Sequence, residues 1–135
     1  MSHTADIKFQ AYGKNFETAL ENSAIATFES ICRGQNVLPK VHKKIKIIAR
    51  TEEILLYDFL DEFLFIMDTE SLILSGIKNL SVLYDKSDKI TLSCDAYFDN
   101  VKNYDISGNI KSVTHSEMFI KKEKNKTTIQ VVLDI

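Results

Sequence analysis

The sequence predicts an α+β fold built as a single domain over residues 1–135. Apolar residues alternate from Thr4 to Tyr12, two longer segments repeat them at helical spacing, and the C-terminal half returns to alternation in segments broken by polar turns. Strands with two interposed helices, without regular strand-helix alternation, imply a mostly antiparallel or mixed sheet with both helices packed on one face. A chain of 135 residues suits one well-developed core and is short for two.

In the first strand Ala5, Ile7, Phe9 and Ala11 point one way and Thr4, Asp6, Lys8, Gln10 and Tyr12 the other, until Gly13 ends it. Asn15 then caps a helix reaching about Arg33, with Phe16, Leu20, Ala24, Phe28 and Ile31 recurring along one side and Gly34 at the C-cap. Val41 to Ala49 alternates again, with Val41, Ile45 and Ile47 against Lys44 and Lys46. Thr51, followed by Glu52 and Glu53, opens a second helix, because acids in a first turn complement the helix dipole. Its body, EILLYDFLDEFLFIMD, is apolar on most of its circumference and should be largely buried.

Leu72 to Leu83 reads as one long strand, bent or broken at Gly76, and Asp85-Lys86-Ser87-Asp88 as a turn into a strand over Ile90 to Tyr97. A looser region from Phe98 to Asn109 precedes strands over Ile110 to Ile120 and Thr127 to Ile135, joined by a charged turn at Glu123 to Lys126. The last three strands predict an antiparallel meander.

Seventeen basic side chains against nineteen acidic ones give a net charge of -2. That balance disfavours binding driven by neutralising a phosphate backbone, so no stable direct nucleic-acid binding is expected. Cys32 and Cys94 are far apart and predict two reduced, buried thiols. No basic-then-apolar leader or unbroken apolar span is present, which predicts a soluble cytoplasmic protein with no membrane partner.

Few constellations could carry chemistry. His3, His42 and His115 stand at no metal-ligand spacing from one another or from a cysteine, and no glycine-rich phosphate loop occurs. Lys40, Lys43, Lys44 and Lys46, and Lys121, Lys122, Lys124 and Lys126, read as edge-strand and turn lysines that oppose sheet-to-sheet aggregation. Asp58, Asp61, Glu62 and Asp68 fall on one stripe of the second helix, either as its solvated edge or as a docking strip for basic residues. Asp6 and Asp134 lie on the polar faces of the first and last strands. Were those strands neighbours, both carboxylates and the terminal carboxylate of Ile135 could converge, a set of hard oxygen ligands suited to Ca²⁺, Mg²⁺ or Mn²⁺.

The blocks HTADIKFQAYG (His3 to Gly13), LLYDFLDEFLFIMDTE (Leu55 to Glu70), IKSVTH (Ile110 to His115) and VVLDI (Val131 to Ile135) resemble, in order, the signature blocks of the archease family. The resemblance spans nearly the whole chain. It implies an α+β domain and a non-catalytic role as protein cofactor of the RtcB-type tRNA-splicing RNA ligase. There it would promote guanylylation and multiple turnover and broaden the nucleoside triphosphates used. It also implies a divalent-metal site, with calcium as the typical ion, on Asp6, Asp134 and Ile135. Lys111, of the KxVT motif, is a candidate functional residue, and His3, Asp58, Asp61, Glu62 and Asp68 are candidate activation or docking residues.

The chain departs from the family pattern at Lys8, Phe59 and His115-Ser116. Lys8 points to the same strand face as Asp6 and is a candidate built-in counter-charge. Two alternatives to a ligase activator stand beside it. One is a chaperone-like or assembly module with a purely structural metal; the other is a metal-dependent phosphohydrolase, for which the sequence singles out no general base.

Overall fold

A computed structural model describes residues 6–135. The elements run β1 (Asp6–Gly13), α1 (Phe16–Cys32), β2 (Val41–Ala49), α2 (Glu52–Glu70), β3 (Leu72–Tyr84), β4 (Ile90–Asn100), a 3₁₀ turn (Val101–Asn103), β5 (Ser112–Glu123) and β6 (Lys126–Asp134). The α+β class and both helices are as the sequence predicts. The single sheet, however, resolves into two three-stranded antiparallel sheets, ordered β1-β6-β5 and β2-β4-β3. The expected meander of the last three strands is therefore corrected: β5 and β6 form a hairpin, while β4 is the centre of the other sheet. Alternation tells which face of a strand is apolar and says nothing about its neighbour.

Both helices begin as their sequences require. The Asn15 side chain accepts from the Thr18 N–H at 2.9 Å, and the Thr51 hydroxyl accepts from the Ile54 N–H at 3.1 Å. At the end of α1 the left-handed cap falls on Arg33, with φ 47°, and Gly34 follows at φ 78°. Gly13 is required for another reason. A Cβ there would press on the backbone nitrogen of Ala19 and stand 2.7 Å from the carbonyl carbon of Thr18, so only glycine lets the end of β1 meet the start of α1.

Each helix touches strands of both sheets: α1 packs on β1 and β6 and on β3, and α2 packs on β5 and on β2, β3 and β4. Between them they bury Leu20, Ala24, Phe28, Leu55, Leu56, Phe59, Leu60 and Phe63. Phe63 is the hub. Its ring meets Phe59 at 5.0 Å and Phe28 at 6.5 Å, both edge-on, and Phe98 of β4 at 6.0 Å. No helix among the described residues is long and apolar enough to cross a membrane.

The region expected to be loose is instead tied down. Phe98 to Asn100 belong to β4, and the loop beyond is strapped to the segment after α1. Tyr104 donates its hydroxyl proton to Asp99 Oδ2 at 2.7 Å and accepts from the Leu38 N–H at 2.8 Å. Gln35 accepts from the Asp105 N–H and donates to the Asp105 carbonyl, and the Ser107 N–H donates to the Ile31 carbonyl. Asp99 is buried, and bonds from Tyr104, the Asn100 N–H and Asn103 hold its carboxyl below the ordinary carboxylate value.

Three outcomes are expected. Phe63→Ala should cost about 3–5 kcal/mol in urea unfolding, because the hub leaves a cavity with walls on three elements. Gly13→Ala should cost about 1–3 kcal/mol by overpacking against backbone that cannot yield. Because the folded-state pKa of Asp99 lies below its unfolded value, its contribution is present above the ordinary carboxylate value and disappears as pH falls through the lowered one. Asp99→Asn should therefore flatten the acid limb of a stability-versus-pH curve while lowering stability near neutrality.

Candidate functional site

The β1–β6 ladder meets the condition on which convergence of the two aspartates depends. The two strands pair antiparallel, and Asp6 stands directly across from Asp134. On the other side of β6, Ser112 opens β5 as the cross-strand partner of Asp134. Paired residues share a sheet face, so Asp6, Asp134 and Ser112 form one row on the side opposite the buried Ile129, Val131 and Leu133. Ile135 follows, half-buried and packed against the core. Lys111, expected inside a strand, lies just before β5 with an exposed side chain; its N–H donates to the Asp134 carbonyl at 2.8 Å.

The decisive atom is Asp134 Oδ1. It is buried and has no hydrogen-bond partner among the described residues. An unsatisfied buried polar atom costs about 1–3 kcal/mol, and more when charged, so this oxygen calls for a hydrogen-bond donor or a cation. A hard divalent cation meets that need, and the donor set, carboxylate beside carboxylate with main-chain and hydroxyl oxygens close in register, is the chemistry such ions prefer. Among the described residues no three His, Cys, Asp or Glu side chains gather as a metal cluster, so a cation here would depend on two side-chain carboxylates supplemented by main-chain oxygen and water.

The counter-charge role for Lys8 is corrected. Its ammonium reaches away from Asp6 to Glu117 Oε1 at 2.8 Å, and both side chains are at least half exposed. Glu117 is within reach because β5 bulges between Thr114 and Phe119 and carries Glu117 at φ 56°. The bulge also turns His115 onto α2, where its ring stacks on Tyr57 at 4.1 Å and 9°. Nothing in the spacing of His115, Glu117 or Ser112 signals these places, since each depends on the register of β5.

The acids of α2 separate into two environments. Asp61 and Asp68 are exposed and Asp58 is half-buried, and none makes an ion pair among the described residues. Glu62 is half-buried, and its carboxyl is pushed up by burial first and then by Asp61 and Glu70, against the pull of Lys43. Lys43 itself bonds Glu70 at 2.8 Å. Thus the structure brings Asp6, Asp134, Ile135 and Lys111 to one sheet end, and leaves the α2 acids as a separate surface. His3 lies outside the described residues.

The family model described as the Archease protein family matches residues 1–135. The chain belongs to the archease family. A protein archease from Methanothermobacter thermautotrophicus is 34% identical over 133 residues, covering 98% of this chain and 94% of that one. A second, from Sulfurisphaera tokodaii, is 34% identical over 136 residues, covering 98% and 94%. The solution structure of Methanobacterium thermoautotrophicum protein 1598 superposes with a TM-score of 0.78 at 32% identity, covering 100% of this chain and 96% of that one. A crystal structure from Thermotoga maritima, described as "an archease, possible chaperone", shares the fold with a TM-score of 0.64 at 14% identity, covering 100% and 94%. The archease fold thus accounts for the two sheets and their paired end strands.

Two outcomes follow from this geometry. Adding Ca²⁺, Mg²⁺ or Mn²⁺ to metal-stripped protein should raise its Tm, and Asp134→Asn should abolish that rise; an equal rise in the variant would place the ion elsewhere. Lys8→Ala should change stability by less than about 1 kcal/mol, as expected for an exposed ion pair, and leave ion affinity unaltered.

Proposed function

We propose that this archease is a non-catalytic protein cofactor of an RtcB-type tRNA-splicing RNA ligase. It would promote the ligase's guanylylation and multiple turnover and widen the nucleoside triphosphates it accepts. The reading is supported by family membership and by one observation: a buried carboxylate oxygen on Asp134, unpartnered among the described residues and set across the ladder from Asp6. Asp6, Asp134 and Ile135 would hold the divalent cation, calcium foremost, with magnesium and manganese as alternatives. When bound, such an ion supplies fixed positive charge for phosphate oxygens.

The remaining roles belong to the chain's own residues. Leu133, fully buried, and Ile135, packed on the core, fix the strand that carries Asp134. Lys111, held through its main chain by Asp134, presents an ammonium at the same sheet end, where it would meet phosphate as a point charge. The Lys8–Glu117 pair keeps a competing ammonium off Asp6. The acids Asp58, Asp61, Glu62 and Asp68 would dock the ligase.

A chaperone-like reading is favoured by a different observation. Phe65 projects from α2 with 59% of its surface exposed, in a shallow depression of mixed charge shared with Glu62, Glu70, Lys43 and Lys44, which suits apolar and polar contact with a client. The two readings part on variants. Multiple-turnover ligation and GTP-dependent guanylylation should lose about tenfold or more of their stimulation with Asp6→Asn or Asp134→Asn, as ligand losses do. Lys111→Gln should weaken it too. Full stimulation by folded Asp6→Asn and Asp134→Asn proteins, with loss confined to variants of Asp58, Asp61, Glu62 or Phe65, would decide for the chaperone-like module.

A further inference from the structure

The outward face of the β2-β4-β3 sheet gathers lysines that are scattered in sequence. Cross-strand register sets out its rows as His42–Tyr97–Gly76, Lys44–Asp95–Lys78, Lys46–Ser93–Ser81 and Ile48–Thr91–Leu83. Three lysines thus face one acid, and that acid is already engaged: Asp95 accepts from His42 at 2.8 Å and from Asn79 at 2.9 Å. The near-neutral balance of the whole chain conceals this, because most acids lie away from these rows; Glu62 and Glu70 of α2 come near only at the β2 edge, where they share a depression with Lys43 and Lys44.

The rows also place an aromatic ring whose neighbour on one side has no side chain. Tyr97 has His42 stacked against it at 5.0 Å on the β2 side, while its neighbour on the β3 side is Gly76. A Cβ at Gly76 would meet nothing within 4 Å, so the absent side chain leaves free space there. That space is a mainly apolar depression of about 330 Å³ lined by Pro39, Gly76, Ile77, Lys78 and Tyr97, with the end of the flexible Lys78 side chain over the Tyr97 ring at 5.7 Å from its centroid. Next to it, a second depression of about 380 Å³ is lined by Lys44, Lys46, Asn79, Ser93 and Asp95. Lys44 and Lys46 are two residues apart on one face, hence about 6.8 Å apart along the strand, a repeat comparable to that of an extended nucleotide.

We propose that this sheet face binds a single-stranded polynucleotide, with a base resting on Tyr97 over Gly76 and the flanking phosphates on Lys44, Lys46 and Lys78. Cationic grooves with stacking rings are how such strands are held without sequence preference. An acidic peptide would use the lysines but has no planar group for the Tyr97 ring, and lysine is depleted in protein–protein interface cores. The inference does not rest on the ligase reading. It reverses the expectation drawn from net charge, for a stated reason: charge is sorted by strand register, which composition does not reveal.

The test is fluorescence anisotropy with labelled oligouridine at low salt, with oligothymidine, duplex RNA and polyglutamate as further arms. Three lysines at about -0.7 each predict that the logarithm of the association constant falls with that of salt concentration with a slope near -2. The triple variant Lys44→Gln, Lys46→Gln, Lys78→Gln should lose most binding and flatten the slope, whereas Lys102→Gln, Lys121→Gln, Lys124→Gln, which removes equal charge elsewhere, should bind as the parent does. Gly76→Leu keeps every charge, fills the space beside Tyr97 and should weaken binding about tenfold. Thermal melts of each variant separate lost binding from lost folding. Preference for RNA over DNA, or none, identifies the source of the strand and supports the site either way. No binding by the parent, equal binding by the lysine or Gly76→Leu variants, or equal competition by polyglutamate would overturn it.

Discussion

The two sheets share no backbone ladder, so the fold is one domain only because two helices bury apolar surface against both of them at once. Helix α2 carries most of that task. Leu55, Leu56, Phe59, Leu60 and Phe63 are fully buried, and one ring, Phe63, touches α1, its own helix and β4. Burying a side chain of this size is worth about 1.5–3 kcal/mol, so a handful of such residues governs a net stability of the usual marginal size. A polar tie reinforces the wedge from outside. Glu52 at the start of α2 accepts from Tyr84 of β3 and pairs with Lys122 of β5, whose ammonium also lies 4.6 Å from the Phe16 ring centroid.

Within the first sheet, the apolar face of β6 overrides an electrostatic objection on its other face. Two carboxylates directly opposed across an antiparallel pair repel one another. The arrangement persists because the same strands bury Ala11, Ile129, Val131 and Leu133 on the core side. Packing on the core side thus holds the two carboxylates opposite one another on the other face. The packed face and the carboxylate face are opposite sides of one strand.

Local patterns are largely legible in the sequence. Asn15 and Thr51 announce the helix starts, the alternation of Ile7, Phe9 and Ala11 gives the buried side of β1, and Gly76 marks an irregularity that is a bulge after Leu74. Asp6 and Asp134 can be selected because their strand faces are readable from period two, and the archease resemblance names the pair. What cannot be read is everything that register decides: the division into two sheets, the pairing of Lys8 with Glu117, and Ser112 beside Asp134. The loop after β4 reads as looser than it is because its order comes from Gln35, Leu38 and Tyr104, groups far apart in sequence whose hydrogen bonds leave no periodic trace.

The central place of β6 also governs when the first sheet can exist. β1 and β5 are its two edges and do not pair with each other, so neither has a ladder partner until residues beyond Lys126 are made. During synthesis, β1 and the flank of α1 that covers it must wait through more than a hundred residues with apolar surface uncovered, whereas β2, β3 and β4 have all their partners by Asn100. The second sheet and α2 are thus free to assemble first, and the first sheet closes around β6 at the end. Juxtaposition of Asp6 with Asp134 then occurs only in a chain that has been made and folded through β6, so any activity that depends on the pair is withheld from incomplete copies.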